Sequence, residues 1–96
     1  MESSKIIEKK LKSLKPIISK RFHVSKIGYF GSYSRNEQTE KSDLDILVMF
    51  RKPIGWDFFD LRNLLENELK IKIDLVSVKA LKKQLKDIIL KQVKFV

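Results

Sequence analysis

The chain has 96 residues, 43% of them hydrophobic, with 21 Lys/Arg against 12 Asp/Glu, a formal net charge of +9 and no cysteine. That length holds one modest core, a single domain over residues 1–96, and leaves no room for a second domain closing over a substrate. Disulfide frameworks and apolar spans of ~20 residues are excluded, and the opening MESSKIIEKKLK lacks the unbroken apolar stretch of a secretory signal, so a cytoplasmic protein with no membrane contact is expected.

Ser3 or Ser4 can cap a first helix whose apolar positions Ile7, Leu11, Leu14 and Ile18 follow the helical period. Pro16 removes a donor within it, so a kink or two short helices are expected between Ser4 and Phe22. His23 reads as a surface or helix-end residue. Lys26–Phe30 reads as a short strand and GSYS as the turn after it, while LDILVMF, nearly all apolar after Asp45, reads as a strand covered on both faces. After the turn signal KPIG, Asp57 can cap a second helix with the face Phe58, Leu61, Leu65 and Leu69, widened by Phe59 and Leu64. Trp56 just before it reads as a packing residue in a hydrophobic staple. IKIDLVSV sets Ile71, Ile73 and Leu75 on one face against Lys72, Asp74 and Val76 on the other, a third strand. A last helix, about Ala80 to Val93, is expected to bury Leu81, Leu85, Ile88 and Ile89. The order predicts an α/β (α+β) fold, a small mixed sheet with flanking helices.

Charge is distributed unevenly along these elements. Residues 1–26 carry eight Lys/Arg against two acids, residues 27–78 seven against nine, and residues 79–96 six against one. Within the acidic centre, Asp43 and Asp45 stand two apart at the mouth of an apolar strand, so their carboxylates share a face and repel. A cation between them relieves that repulsion. If the third strand neighbours the second, Asp74 joins the pair, and three converging carboxylates suit Mg²⁺, which keeps waters and substrate phosphates among its ligands. A pair of such ions can clamp the attacking and leaving oxygens of a phosphoryl displacement. Gly31 and Ser32, in the turn one strand earlier, can offer backbone N–H groups and a hydroxyl to phosphate oxygens, aided by a helical turn beginning near Ser32 or Tyr33.

GSYSR, then SDLDILV, then KIDLV resembles the minimal nucleotidyltransferases, small relatives of DNA polymerase beta, and the resemblance spans almost the whole chain. It implies that Gly31 and Ser32 hold the triphosphate, that Asp43 and Asp45 bind both metals, and that Asp74 completes one metal site and helps activate the acceptor hydroxyl. Arg35 matches the family's arginine and would touch phosphate or brace the loop. Family members often have Ala-Arg-Gly where this chain has Ser34-Arg35-Asn36, and Asn is the ordinary residue that best tolerates positive φ.

The implied activity is transfer of a nucleoside monophosphate, AMP first, from ATP or another NTP to a hydroxyl, with release of pyrophosphate. Relatives of this size commonly work beside a HEPN-domain protein, a ribonuclease toxin, as an antitoxin that binds it and adds AMP to it; a tyrosine hydroxyl would be a suitable acceptor. Two other functions compete. A non-catalytic antitoxin could neutralise its partner by binding alone, though binding does not call for three clustered carboxylates. A small basic nucleic-acid-binding module would rest on the terminal lysines, but the chain has neither a stacking aromatic motif nor a recognised reading helix, so nucleic acid ranks last as a direct ligand.

Overall fold

The computed structural model describes residues 3–96. Three helices and a four-stranded sheet follow one another as α1 (Ser4–Phe22), β1 (Val24–Phe30), β2 (Leu44–Phe50), α2 (Asp57–Leu69), β3 (Ile73–Ser77), α3 (Lys83–Gln92) and β4 (Lys94–Phe95), with single 3₁₀ turns at Gly31–Tyr33 and Val78–Ala80. The sheet order is β3-β2-β1-β4. β1 runs antiparallel to β2 and to β4, whereas β3 runs parallel to β2, as a strand returned by a crossover helix must. This is the mixed α/β sheet the element order predicts.

The two faces of β2 explain its nearly continuous apolar run. Leu44, Ile46 and Val48 join Ile7, Leu11 and Ile18 of α1 and Leu61, Leu65 and Leu69 of α2 in the main core. Leu47, pointing the other way, meets Val78 and Ile89 in a smaller cluster under α3. A register shift between Val24 and Lys26 of β1 lets Val24 and Ile27, three apart, both enter the main core. No helix among the described residues is long and apolar enough to cross a membrane.

Several expectations change. α1 is one continuous helix with Pro16 inside it, not two. Pro16 and Lys12 are both exposed, so the carbonyl that proline leaves unpaired faces water and the break costs less than it would in a core. Asp57 does not cap α2: Trp56 already has helical angles, and the first amides of the helix bond to the carbonyls of Ile54, Gly55 and Trp56. Asp57 therefore sits in the first turn, favourably placed for the helix dipole. Trp56 is no buried staple, being 85% exposed, with its ring 5.9 Å from that of Phe59. In α3, Ile89 is buried but Leu85 and Ile88 are exposed, because the helix meets the sheet along a narrow line over Leu47 and Val78. β4 is an addition to the three predicted strands. It pairs Phe95 with Gly28 and is followed by Val96, whose amide donates to the Ile27 carbonyl while its own carbonyl accepts from Lys15 Nζ at 2.7 Å. His23 does end a helix, with φ 59°.

Candidate active site

The parallel pairing of β2 with β3 sets the geometry of the site. Its register places Asp45 directly beside Asp74. Two contacts hold β3 in that register: Leu44 N–H donates to the Lys72 carbonyl at 2.9 Å, and Ile73 N–H donates to Glu66 Oε2 of α2 at 2.9 Å. Asp43 lies just ahead of β2 and is exposed, as is Asp74, while Asp45 is half-buried.

The electrostatics follow from this placement. Burial foremost, then the negative charges of Asp74 and Asp43 and a hydrogen bond shared with Asp74, push the Asp45 carboxyl from 3.8 up to about 6; the Arg35 guanidinium pulls the other way. A carboxylate so placed holds its charge comfortably only with a cation nearby. Among the described residues no three or more acidic, histidine or cysteine side chains are grouped so that they could hold a metal ion by themselves. An open set of carboxylate oxygens is nevertheless the donor chemistry of Mg²⁺, which keeps waters and substrate phosphates in its shell.

The Gly-Ser turn leans on the same carboxylate. Gly31 has φ 71°, and a Cβ built on it would fall 2.2 Å from Asp45 Oδ2. Glycine is required there twice over, for its backbone angle and for the space. The 3₁₀ turn begins at Gly31, earlier than Ser32 or Tyr33, and three residues are too few for a sizeable macrodipole, so any attraction for an anion comes from local N–H groups. Ser32 is half-buried, and its carbonyl accepts from the amides of Arg35 and Glu37. Asn36 takes φ 56°, the left-handed conformation that asparagine tolerates. Arg35 braces the loop, with Nη1 3.2 Å from Gln92 Oε1 of α3 and Nε 3.3 Å from Glu37 Oε2.

Sequence reasoning missed Ser4. With Ser3 as the cap of α1, accepting from the Ile6 amide, Ser4 is buried and its hydroxyl donates to the Tyr33 carbonyl at 2.6 Å, with Asn36 Oδ1 at 3.1 Å. It clamps the far side of the Gly-Ser turn onto α1. The signal was present in the spacing, since Ser4 falls on the buried stripe of Ile7, Leu11 and Ile18, where a polar side chain needs a partner. Gln92 and Glu66 carried no comparable signal, because their partners are distant in the chain.

Four similarities accompany this geometry. A family model described as polymerase beta, nucleotidyltransferase matches residues 12–96. The protein adenylyltransferase MntA of Thermococcus cleftensis is 41% identical over 91 residues, covering 94% of this chain and 92% of its own length. Among solved structures, a toxin-antitoxin crystal structure with AMP-PNP superposes with a TM-score of 0.76 at 27% identity, over 92% of this chain and 70% of that one. The fold alone is shared, at 24% identity and a TM-score of 0.64 over 90% of this chain and 66% of that one, with a complex of a tri-AMPylated Shewanella oneidensis HEPN toxin and an MNT antitoxin.

Proposed function

Because this chain belongs to the polymerase beta nucleotidyltransferase family, we propose that it moves AMP from ATP to a hydroxyl on a partner protein, and that this partner is a HEPN-type toxin whose antitoxin it is. The observation that carries the reading is the Asp45–Asp74 register pair with the Gly31 backbone pressed against Asp45. The name of the Thermococcus relative supports the transfer of AMP to protein, and the structural neighbour holding AMP-PNP in a toxin-antitoxin assembly supports both the nucleotide and the setting. The reading takes residues 1–96 as one transferase domain at work in the cytoplasm.

In this mechanism Asp43 and Asp45 would hold a pair of magnesium ions and Asp74 would complete one of the two sites, where the metal would supply charge neutralisation for the phosphoryl oxygens. The Gly31 amide and Ser32 hydroxyl hold the triphosphate, and Arg35 steadies that turn through Gln92 and Glu37. A carboxylate oxygen of Asp74 takes the proton of the acceptor hydroxyl. The acceptor oxygen forms its bond to the α-phosphorus as the bond to the pyrophosphate oxygen breaks, and pyrophosphate leaves.

Calorimetric titration of ATP, in Mg²⁺ and in EDTA, tests the site on the wild type and on Asp43→Ala/Asp45→Ala. Magnesium-dependent binding lost in the double variant is the expected result, together with loss of AMP transfer in Asp45→Asn. Unaltered modification of the partner by Asp45→Asn would overturn the catalytic assignment of the aspartates, whereas neutralisation of the partner with no modification by the wild type would point to an antitoxin that acts by binding alone.

A further inference from the structure

At the opposite end of the sheet from the aspartates lies an open groove of about 770 Å³. Its walls are the last residues of β2 and β3, the Pro53–Gly55 loop, Phe58 of α2 and the 3₁₀ turn after β3. Met49, Ile54, Phe58 and Val76 give it an apolar floor, and its charged lining residues are Lys52, Lys79 and Lys86, with no acid among them. Beside Gly55, Trp56 is 85% exposed and Phe59 46% exposed, extending the apolar surface. Exposed aromatics next to a concave apolar patch mark a surface made to be covered.

The groove also has a fixed relation to the chemistry. Asp45, Leu47 and Met49 alternate onto one face of β2, and four residues at strand rise separate Asp45 from Met49 by about 13 Å. A neighbouring segment of a protein held in the groove therefore has only that distance to cover to reach the carboxylates. A second cleft, beside Asp43, is more polar and smaller, at about 330 Å³.

We propose that this groove seats an acidic amphipathic helix of the protein that accepts the nucleotide. Its apolar face fills the recess over Met49 and Ile54, and its carboxylates meet Lys52, Lys79 and Lys86. The inference rests on the reading of a protein acceptor and names the feature by which a domain this small recognises it. Charge complementarity selects the occupant: three lysines and no acid line the groove, which favours a helix whose outward face is acidic.

The probe is a pair of labelled designed helices, each about four turns long, with the same leucine face and with either glutamate or lysine at the outward positions. Fluorescence anisotropy is read on the wild type, Ile54→Glu and Lys79→Glu/Lys86→Glu, and ATP binding is titrated on each. The expected result is binding of the glutamate helix at least about tenfold tighter than the lysine helix. That binding is lost in Ile54→Glu and weakened about tenfold in the lysine variant, while ATP binding stays unchanged. Equal binding of both helices, binding indifferent to the substitutions, or self-association through the groove would each overturn the proposal. ATP binding without helix binding removes the groove alone; helix binding without ATP binding removes the transferase reading and leaves the groove standing.

Discussion

Replacing Asp45 by Asn should make the metal-free protein more stable while abolishing transfer. In the folded chain the Asp45 carboxyl is raised from 3.8 to about 6. A raised acid favours the folded state while it remains protonated. That contribution is complete below the unfolded value and is lost as pH rises through the folded one, so the penalty of ionised Asp45 grows between about pH 4 and pH 6 and persists above. The shift corresponds to a ceiling of about 3 kcal/mol. Asp45 is only half-buried, and solvent screening reduces this to about 1–2 kcal/mol. Asparagine keeps the shape beside Gly31 and can donate its amide to Asp74, but carries no charge.

Urea denaturation in EDTA from pH 4 to pH 8 reads the difference between variant and wild type, so that titrations common to both cancel. The stability gain of Asp45→Asn should be near zero at pH 4 and reach about 1–2 kcal/mol at pH 7.5, raising Tm there by about 4–16 °C. A gain independent of pH, or a loss at pH 7.5, would refute the claim that the carboxylates are held together against their own repulsion. Stability gained as activity is lost is the signature of a residue kept for chemistry.

Gly31→Ala should destabilise the fold by about 1–3 kcal/mol, through its positive φ and the Asp45 oxygen in the space the methyl would occupy, and should cut transfer; thermal melts and labelled-ATP assays check both. Gly28→Ala brings a Cβ within 2.7 Å of the Lys94 carbonyl and 2.9 Å of Val93 Cγ2, so β4 should be pushed off β1 at a cost of about 1–3 kcal/mol, seen as loss of amide protection at Val96 with ATP binding retained. Ser4→Ala removes the donor to the buried Tyr33 carbonyl, costing about 1 kcal/mol, and should weaken ATP binding more than the matching Ser13→Ala, whose hydroxyl bonds only within its own exposed helix face.

The parts of this molecule that were legible in its sequence are those decided locally. β2 was readable to its last residue because both its faces are buried, leaving an apolar run with Asp45 as its one charge. The left-handed conformation of Asn36 followed from what its side chain tolerates. Asp74 could be placed on the polar face of its strand by alternation alone, and only the neighbour of that strand had to be learned from the structure. What stayed hidden depends on distant partners. β4 is two residues long and exists because Gly28 leaves room for its backbone, and Lys15 reaches the Val96 carbonyl from the other end of the chain. Helical spacing in α3 and the position of Trp56 imply apolar contact without saying which residues receive cover; Leu85 and Ile88 stay half exposed and Trp56 largely so.

β3 is an edge strand, hydrogen-bonded within the sheet only to β2. The electrostatic opposition between Asp45 and Asp74 therefore acts across the one ladder that attaches it. In a chain that docks β3 last, assembly of α1 with the β1–β2 hairpin would not meet that opposition, whereas docking of β3 would. In kinetic terms the repulsion hastens release of an outer strand more than it slows assembly of the centre. The seam that sets Asp45 beside Asp74 should therefore exchange its amides with solvent sooner than the central β1–β2 ladder.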